Sequence, residues 1–144
     1  MFTNRIHRYF ILITVAFLYS DFLLAQQRGG SFEIAIATIK KNVQCCSVAF
    51  SNDKSNKATT VLIFENAEMT IVYNNNRPPV SFNLLALYKD TRSPQGIDYK
   101  RGTKTIVFNI SEFNAQAIRF NTASKANETF HQLLYIINSV SKEK

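Results

Sequence analysis

The segment SFEIAIATIKKNVQCC, residues 31–46, carries apolar side chains at helical spacing. Ser31 can cap the N-terminus of such a helix, and Lys40 and Lys41 suit the negative end of its dipole. A strand-like alternation covers only the first half of the segment, so the pattern predicts a helix over about 31–45. Five apolar residues recur at steps of four, three, four and three: Phe32, Ile36, Ile39, Val43 and Cys46.

From residue 47 onward the apolar positions recur at every second residue. Apolar and β-branched residues alternate with polar ones in short segments, which end at turn-rich stretches such as NNNRPP and TRSPQG. Short strands at even spacing favour antiparallel pairing in a meander or partial barrel. Asn66-Ala67 joins two of the segments as a hairpin. The predicted strands are 58–66, 68–74, 80–90, 97–100, 103–110 and 115–121, with 47–50 as a candidate seventh.

The chain ends in a second amphipathic segment, SKANETFHQLLYIINSVSKEK. The pattern predicts a helix of about 16 residues with Ser124 as its N-cap, and Lys142 and Lys144 suit its C-terminal end. A helix of this kind needs an apolar surface to pack on, so we expect it to cover the sheet. The sequence thus predicts a single α+β domain over 31–144. It comprises an N-terminal helix, six or seven antiparallel strands as a bent sheet or partial barrel, and a C-terminal helix packed over the sheet. The apolar face of the closing helix comprises Ala126, Phe130, Leu133, Leu134, Ile137 and Val140.

The first 25 residues have the three-part layout of a secretory signal peptide. Basic residues come first, an apolar run of eleven residues covers Tyr9–Tyr19, and the segment closes with Leu23-Leu24-Ala25. The alternative is a retained membrane anchor, but the run is short against the roughly 20 residues that a spanning helix needs. We predict a signal peptide over 1–25 and a flexible leader over 26–30. The protein is then exported, either periplasmic or extracellular.

The order of helix, six or seven antiparallel strands and closing helix resembles small exported, uncharacterised proteins of Bacteroidota. The LLAQQ junction looks like the signal cleavage sites of that group. From about Ser47 to Val140 the order is similar to the pleckstrin-homology-like fold, in which seven strands form a bent barrel and a C-terminal helix plugs one end. The resemblance implies a scaffold and identifies no ligand for it, because the loop SNDKSNK offers only Lys54 and Lys57 where phosphoinositide-binding members carry a basic cluster.

Positive charge is the clearest feature of the composition. Cleavage after Ala25 leaves 119 of the 144 residues and removes two of the 17 basic and one of the ten acidic ones, so the net charge becomes +6. If the basic loops gather at one end of the barrel, they form a cationic rim for an anionic partner. The alternative is solvated hairpin tips whose charges discourage aggregation. The basic residues concerned are Arg77 in one loop, Lys89 and Arg92 in a second, and Lys100, Arg101 and Lys104 around the turn YKRGTK.

Cys45 and Cys46 are the only cysteines and stand next to each other. Neighbouring Cα atoms lie about 3.8 Å apart, below the usual disulfide range, which favours two structural thiols. The alternatives are an intermolecular disulfide through one of them, and a disulfide between the two or a redox role. A zinc site would lack its second pair of ligands.

The remaining residues indicate no catalytic, cofactor-binding or metal site. His131 is the one histidine left after cleavage, no serine stands in a G-x-S-x-G elbow, and the four glycines form no phosphate loop. Nothing indicates a nucleic-acid partner. The sequence therefore favours a non-enzymatic binding or interaction module of the cell envelope, with a protein or an anionic envelope component as its partner. A thiol-dependent redox protein using Cys45 and Cys46, or a self-associating structural component, are the alternatives.

Overall fold

The computed structural model describes residues 30–49, 57–64, 66–74 and 78–142. Of these, the residues from 34 onward belong to one compact unit and residues 30–33 belong to another. The predicted signal peptide and Arg77 lie outside the described residues. Within them, no helix is long and apolar enough to cross a membrane.

Seven strands among the described residues form two antiparallel sheets. One sheet has three strands in the order β2-β3-β4, and the other has four in the order β1-β7-β6-β5. The two sheets do not close into a barrel. The α+β class and the antiparallel pairing predicted from the sequence are thus confirmed. The strands are β1 (Ser47–Val48), β2 (Ala58–Ile63), β3 (Glu68–Tyr73), β4 (Val80–Asn83), β5 (Ile97–Lys100), β6 (Thr105–Ser111) and β7 (Asn114–Phe120).

The strand predicted over 80–90 is much shorter in the structure. It ends at Asn83 and is followed by one 3₁₀ turn, Leu84–Ala86. The Asn83 side-chain oxygen accepts a hydrogen bond from the Leu85 backbone N–H at 2.8 Å. Asparagine side chains compete in this way with the backbone ladder, and this bond turns the chain out of the sheet. Apolar alternation continues past the turn and does not reveal it.

Two helices flank the strands in the sequence, as predicted. Helix α1 covers residues 30–46 and helix α2 covers Ala123–Ser141. The N-cap of α2 is Thr122 and not the predicted Ser124, because the Thr122 hydroxyl accepts from the Lys125 N–H at 3.3 Å.

Helix α2 packs on the larger sheet and on the 3₁₀ turn. The ring of Phe130 lies 5.7 Å from that of Tyr99 in β5, measured between centroids. Packing of the closing helix over the sheet is therefore confirmed. Its buried positions are Ala126, Thr129, Leu133, Ile136 and Ile137.

One buried polar contact joins the two helices. Asn42 of α1 is 1% exposed, and its side-chain amide donates to the Thr129 hydroxyl at 3.2 Å and to the Glu128 carboxylate at 3.1 Å. A buried amide is tolerated when its donors are satisfied. Asn42 therefore takes a place on the buried face of α1 beside Ile39 and Val43, which are fully buried.

Tyr73 connects the two sheets at the end of β3. Its hydroxyl donates to the side-chain oxygen of Gln116 at 3.0 Å and lies 3.3 Å from the carbonyl of Ala117, both in β7. Burial raises the pKa of this hydroxyl to about 12. The phenol therefore stays protonated in the folded protein well above the usual value of about 10.

The raised pKa of Tyr73 predicts a loss of stability at alkaline pH. Below pH ~10 Tyr73 is protonated in both the folded and the unfolded state, so its titration does not change the free energy of unfolding there. Between pH ~10 and ~12 the hydroxyl loses its proton in the unfolded state but keeps it in the folded state, so the free energy of unfolding falls as the pH rises. We expect the difference in tyrosinate absorbance between the wild type and Tyr73→Phe to show one phenol titrating near pH 12. A difference centred at pH ~10 would contradict the burial of this hydroxyl.

Candidate interaction surface and disulfide

Three of the predicted basic residues lie on the tight turn between β5 and β6. We call residues 100–104 the basic turn. Its Lys104 N–H donates to the Arg101 carbonyl at 3.2 Å, and Lys104 has a backbone φ of 55°, in the left-handed region. Lys100 and Arg101 are exposed, whereas Lys104 is half-buried. The turn thus presents two cations to solvent and folds the third back on the protein.

Hydrogen bonds fix the basic turn to the junction between β7 and α2. The Lys104 ammonium donates to the Asn121 carbonyl at 3.1 Å, and the Phe120 N–H donates to the Lys104 carbonyl at 2.9 Å. The Asn121 N–H in turn donates to the carbonyl of Cys46 at 2.9 Å. The basic turn, the start of α2 and the end of α1 therefore meet at one place.

Arg119 adds a cation that the sequence analysis did not select. Lys100 pairs with Thr105, and Thr105 pairs with Arg119, so the three residues form one row across β5, β6 and β7. Residues directly opposite one another in antiparallel strands point to the same face. The alternation Ile118-Arg119-Phe120-Asn121 was the available signal, since Ile118 and Phe120 on either side of Arg119 are buried.

The first turns of α2 carry another pair of charges close to this end. Lys125 forms an ion pair with Glu128 at 2.9 Å. Hydrogen bonds from Lys125 and from the amide of Asn42 hold the pKa of the Glu128 carboxyl below its usual range, and the charge of Lys41 contributes in the same direction. The carboxylate is thus occupied by Lys125 and Asn42, and it does not neutralise the basic turn.

Lys89 and Arg92 do not join this surface. The Tyr88 N–H donates to the Asn109 carbonyl at 2.7 Å, which places the segment after Tyr88 beside the far end of β6. Along the β5–β6 pair, Ile97 faces Phe108 at that end and Lys100 faces Thr105 at the other. The two basic loops therefore lie at opposite ends of the strand pair and do not form one rim.

The two cysteines are joined to each other in a disulfide. Their sulfurs lie 2.01 Å apart and their Cα atoms 3.7 Å apart. The structure thus differs from the favoured interpretation of two structural thiols, because adjacent residues can close an eight-membered ring despite their short Cα separation. Cys46 is half-buried and continues the stripe of α1, whereas Cys45 is exposed.

His131 lies on helix α2 next to Phe130. It is exposed on α2, and its ring makes an edge contact with that of Phe130 at 5.9 Å between centroids. Within the described ranges, no three His, Cys, Asp or Glu side chains are placed to hold a metal ion. The basic turn presents two exposed cations, Lys100 and Arg101, which can attract an anionic group.

Comparison of the chain with protein-family models, with curated proteins and with solved structures finds no match.

Proposed function

We propose that this protein is a non-enzymatic binding module of the cell envelope, exported by its N-terminal signal, whose basic turn holds an anionic partner. The main support for the proposal is that hydrogen bonds hold the backbone of the basic turn, whereas two of its charged side chains are exposed to solvent. Lys104 is bonded at both its ammonium and its carbonyl, whereas Lys100 and Arg101 are exposed. None of the three forms an ion pair with another described residue.

Unpaired cations on an ordered loop contribute little to the stability of the fold and are better suited to binding a partner. Exposed ion pairs add little to folding, typically less than about 1 kcal/mol, so unpaired lysine and arginine can be replaced at low cost. A loop that is already ordered loses little conformational entropy when a partner docks. Binding through such charges is expected to weaken with salt, because screening acts over about 8 Å at physiological ionic strength.

The spacing of these cations supports an anionic partner with repeated charges. Lys100 and Arg119 lie in one row across two strand spacings, about 10 Å, and Arg101 follows Lys100 in the chain. An anionic chain with repeated charges can contact several of them at once. We therefore infer an anionic envelope component, either a polymer or an acidic protein surface, as the bound species.

We expect the double variant Lys100→Glu, Arg101→Glu to lose affinity for a polyanion about tenfold, the effect of two charges contributing ~0.7 kcal/mol each. Retention on immobilised heparin, with the salt concentration at elution as the readout, measures this. Lys104 is left unchanged because its left-handed backbone and its bond to Asn121 support the turn.

The matched control reverses two cations at the other end of the β5–β6 pair. Lys89→Glu, Arg92→Glu changes the net charge by the same amount, and both residues are exposed. Equal losses in the two variants would mean that only overall charge matters, and an unchanged elution of the Lys100, Arg101 variant would remove the basic turn from the proposal. Photo-crosslinking from position 102, which faces open space, then identifies the partner in native envelopes.

A further inference from the structure

The disulfide lies where the end of α1 meets the basic turn. Cys46 is the last residue of α1, and β1 begins at Ser47. The Cys46 carbonyl accepts from the Asn121 N–H at 2.9 Å, and the Asn121 carbonyl accepts from the Lys104 ammonium at 3.1 Å. Two hydrogen bonds therefore connect the disulfide-bonded pair to the surface proposed for binding.

We propose that the Cys45–Cys46 disulfide is a redox-sensitive modification site whose reduction by a dithiol loosens the basic turn. The coupling to partner binding rests on the function proposed above. The reduction of the disulfide and its effect on the junction between β7 and α2 are argued from the disulfide and its hydrogen bonds alone.

The reaction is thiol–disulfide exchange with a protein or small-molecule dithiol. A thiolate of the reductant attacks the sulfur of Cys45, the exposed member of the pair, and the electron pair of the broken bond leaves on the sulfur of Cys46, which takes up a proton. The second thiolate of the reductant then attacks the mixed disulfide and releases Cys45, which is protonated. Two electrons and two protons reach the cysteine pair, and the reductant becomes a disulfide.

Opening the bond changes the freedom of the backbone at Cys46. In the oxidised form the N–Cα bond of Cys46 belongs to the eight-membered ring, so rotation about it is restricted, and this limits the positions that the Cys46 carbonyl group can take. In the reduced form this ring restraint is removed, and ordering the carbonyl towards Asn121 costs more conformational entropy. The hydrogen bond from Asn121 is therefore weaker after reduction, and the Asn121 carbonyl holds the Lys104 ammonium less firmly.

Amide hydrogen exchange on the purified protein tests this directly. Without reductant we expect no thiol to react with an alkylating agent under native conditions, and after treatment with dithiothreitol we expect two labels. The amide protons of Asn121 and Phe120 should then exchange about tenfold faster. The amide of Ile118, in the middle of β7 and paired with Ile106, is the internal control and should not change.

The double variant Cys45→Ser, Cys46→Ser fixes the open state independently of reductant. It should show fast exchange at Asn121 and Phe120 with or without dithiothreitol, whereas the wild type should respond to it. Protection of these amides that is identical in oxidised, reduced and double-serine protein would overturn the proposal. So would thiols that are free before reduction, or a disulfide that dithiothreitol opens only after denaturation.

The heparin assay separates this proposal from the binding function. Suppose that reduction speeds amide exchange at Asn121 while Lys100→Glu, Arg101→Glu leaves retention unchanged. The redox-sensitive site is then supported and the proposed binding surface is contradicted. If instead the charge variant loses retention while amide exchange is independent of the redox state, the binding surface is supported and the redox-sensitive site is contradicted. If both proposals are correct, reduced protein should elute from heparin at a lower salt concentration than oxidised protein.

Discussion

Replacing Phe108 with alanine is expected to lower the free energy of unfolding by about 4 kcal/mol. Phe108 lies in β6 and is fully buried, and its ring lies 5.3 Å from that of Phe82 in β4 with the two planes tilted by 49°. The pair joins the two sheets, and tilted aromatic contacts add to the gain from burial. Truncation would remove the contact and leave a cavity that a rigid sheet cannot fill. Equilibrium unfolding in urea measures the loss.

The matched control is Phe113→Ala in the turn between β6 and β7. Phe113 is 93% exposed, so the same change of residue should alter the free energy of unfolding by less than about 0.5 kcal/mol. A loss below ~1 kcal/mol for Phe108→Ala would mean that the two sheets do not share a core at this point.

Replacing Gly96 with alanine is expected to cost about 3 kcal/mol, from left-handed strain and overpacking together. Gly96 precedes β5 and has a backbone φ of 75°. A Cβ atom there would lie 2.4 Å from the Cβ of Leu87 and 3.1 Å from the Tyr88 carbonyl oxygen. Neither neighbour can move easily, because Leu87 is buried and the Tyr88 N–H is bonded to Asn109. Thermal or urea unfolding of the variant measures the cost.

Gly102→Ala is the control for the change from glycine to alanine itself. No atom lies within 4 Å of the position that its Cβ would occupy, and its φ is not positive. We expect the stability to stay the same or rise by up to about 1 kcal/mol, because alanine restricts the unfolded chain. Similar losses at the two glycines would contradict the close approach of Gly96 to Leu87.

Periodicity was sufficient to predict most of the fold. The stripe through Ile39 and Val43 predicted α1 to within a residue or two, and β5 was predicted with its exact bounds. Both rest on burial of one face, which repeats every 3.6 or two residues and is therefore visible in the sequence. The end of β4 was missed because one side-chain hydrogen bond at Asn83 decides it, and such a bond has no period.

The candidate site was predicted in part, for a related reason. The cations of the turn at 100–104 were found from their clustering in the chain. Their separation from Lys89 and Arg92 depends on strand order, and the addition of Arg119 depends on register. The disulfide depended on side-chain directions at the end of α1, which the spacing of Cα atoms does not describe.

A disulfide between neighbours in the chain closes only an eight-membered ring and encloses no further residues. Cys45 and Cys46 are separated by one position in sequence, so their bond leaves the reach of the unfolded polypeptide almost unaltered. Ordinary cross-links restrain the denatured ensemble in proportion to the logarithm of the segment they enclose, and cutting them often unfolds small secreted proteins. We therefore expect reduction of this bond to change the stability of the domain little, so that the bond can be reduced and reformed while the protein stays folded.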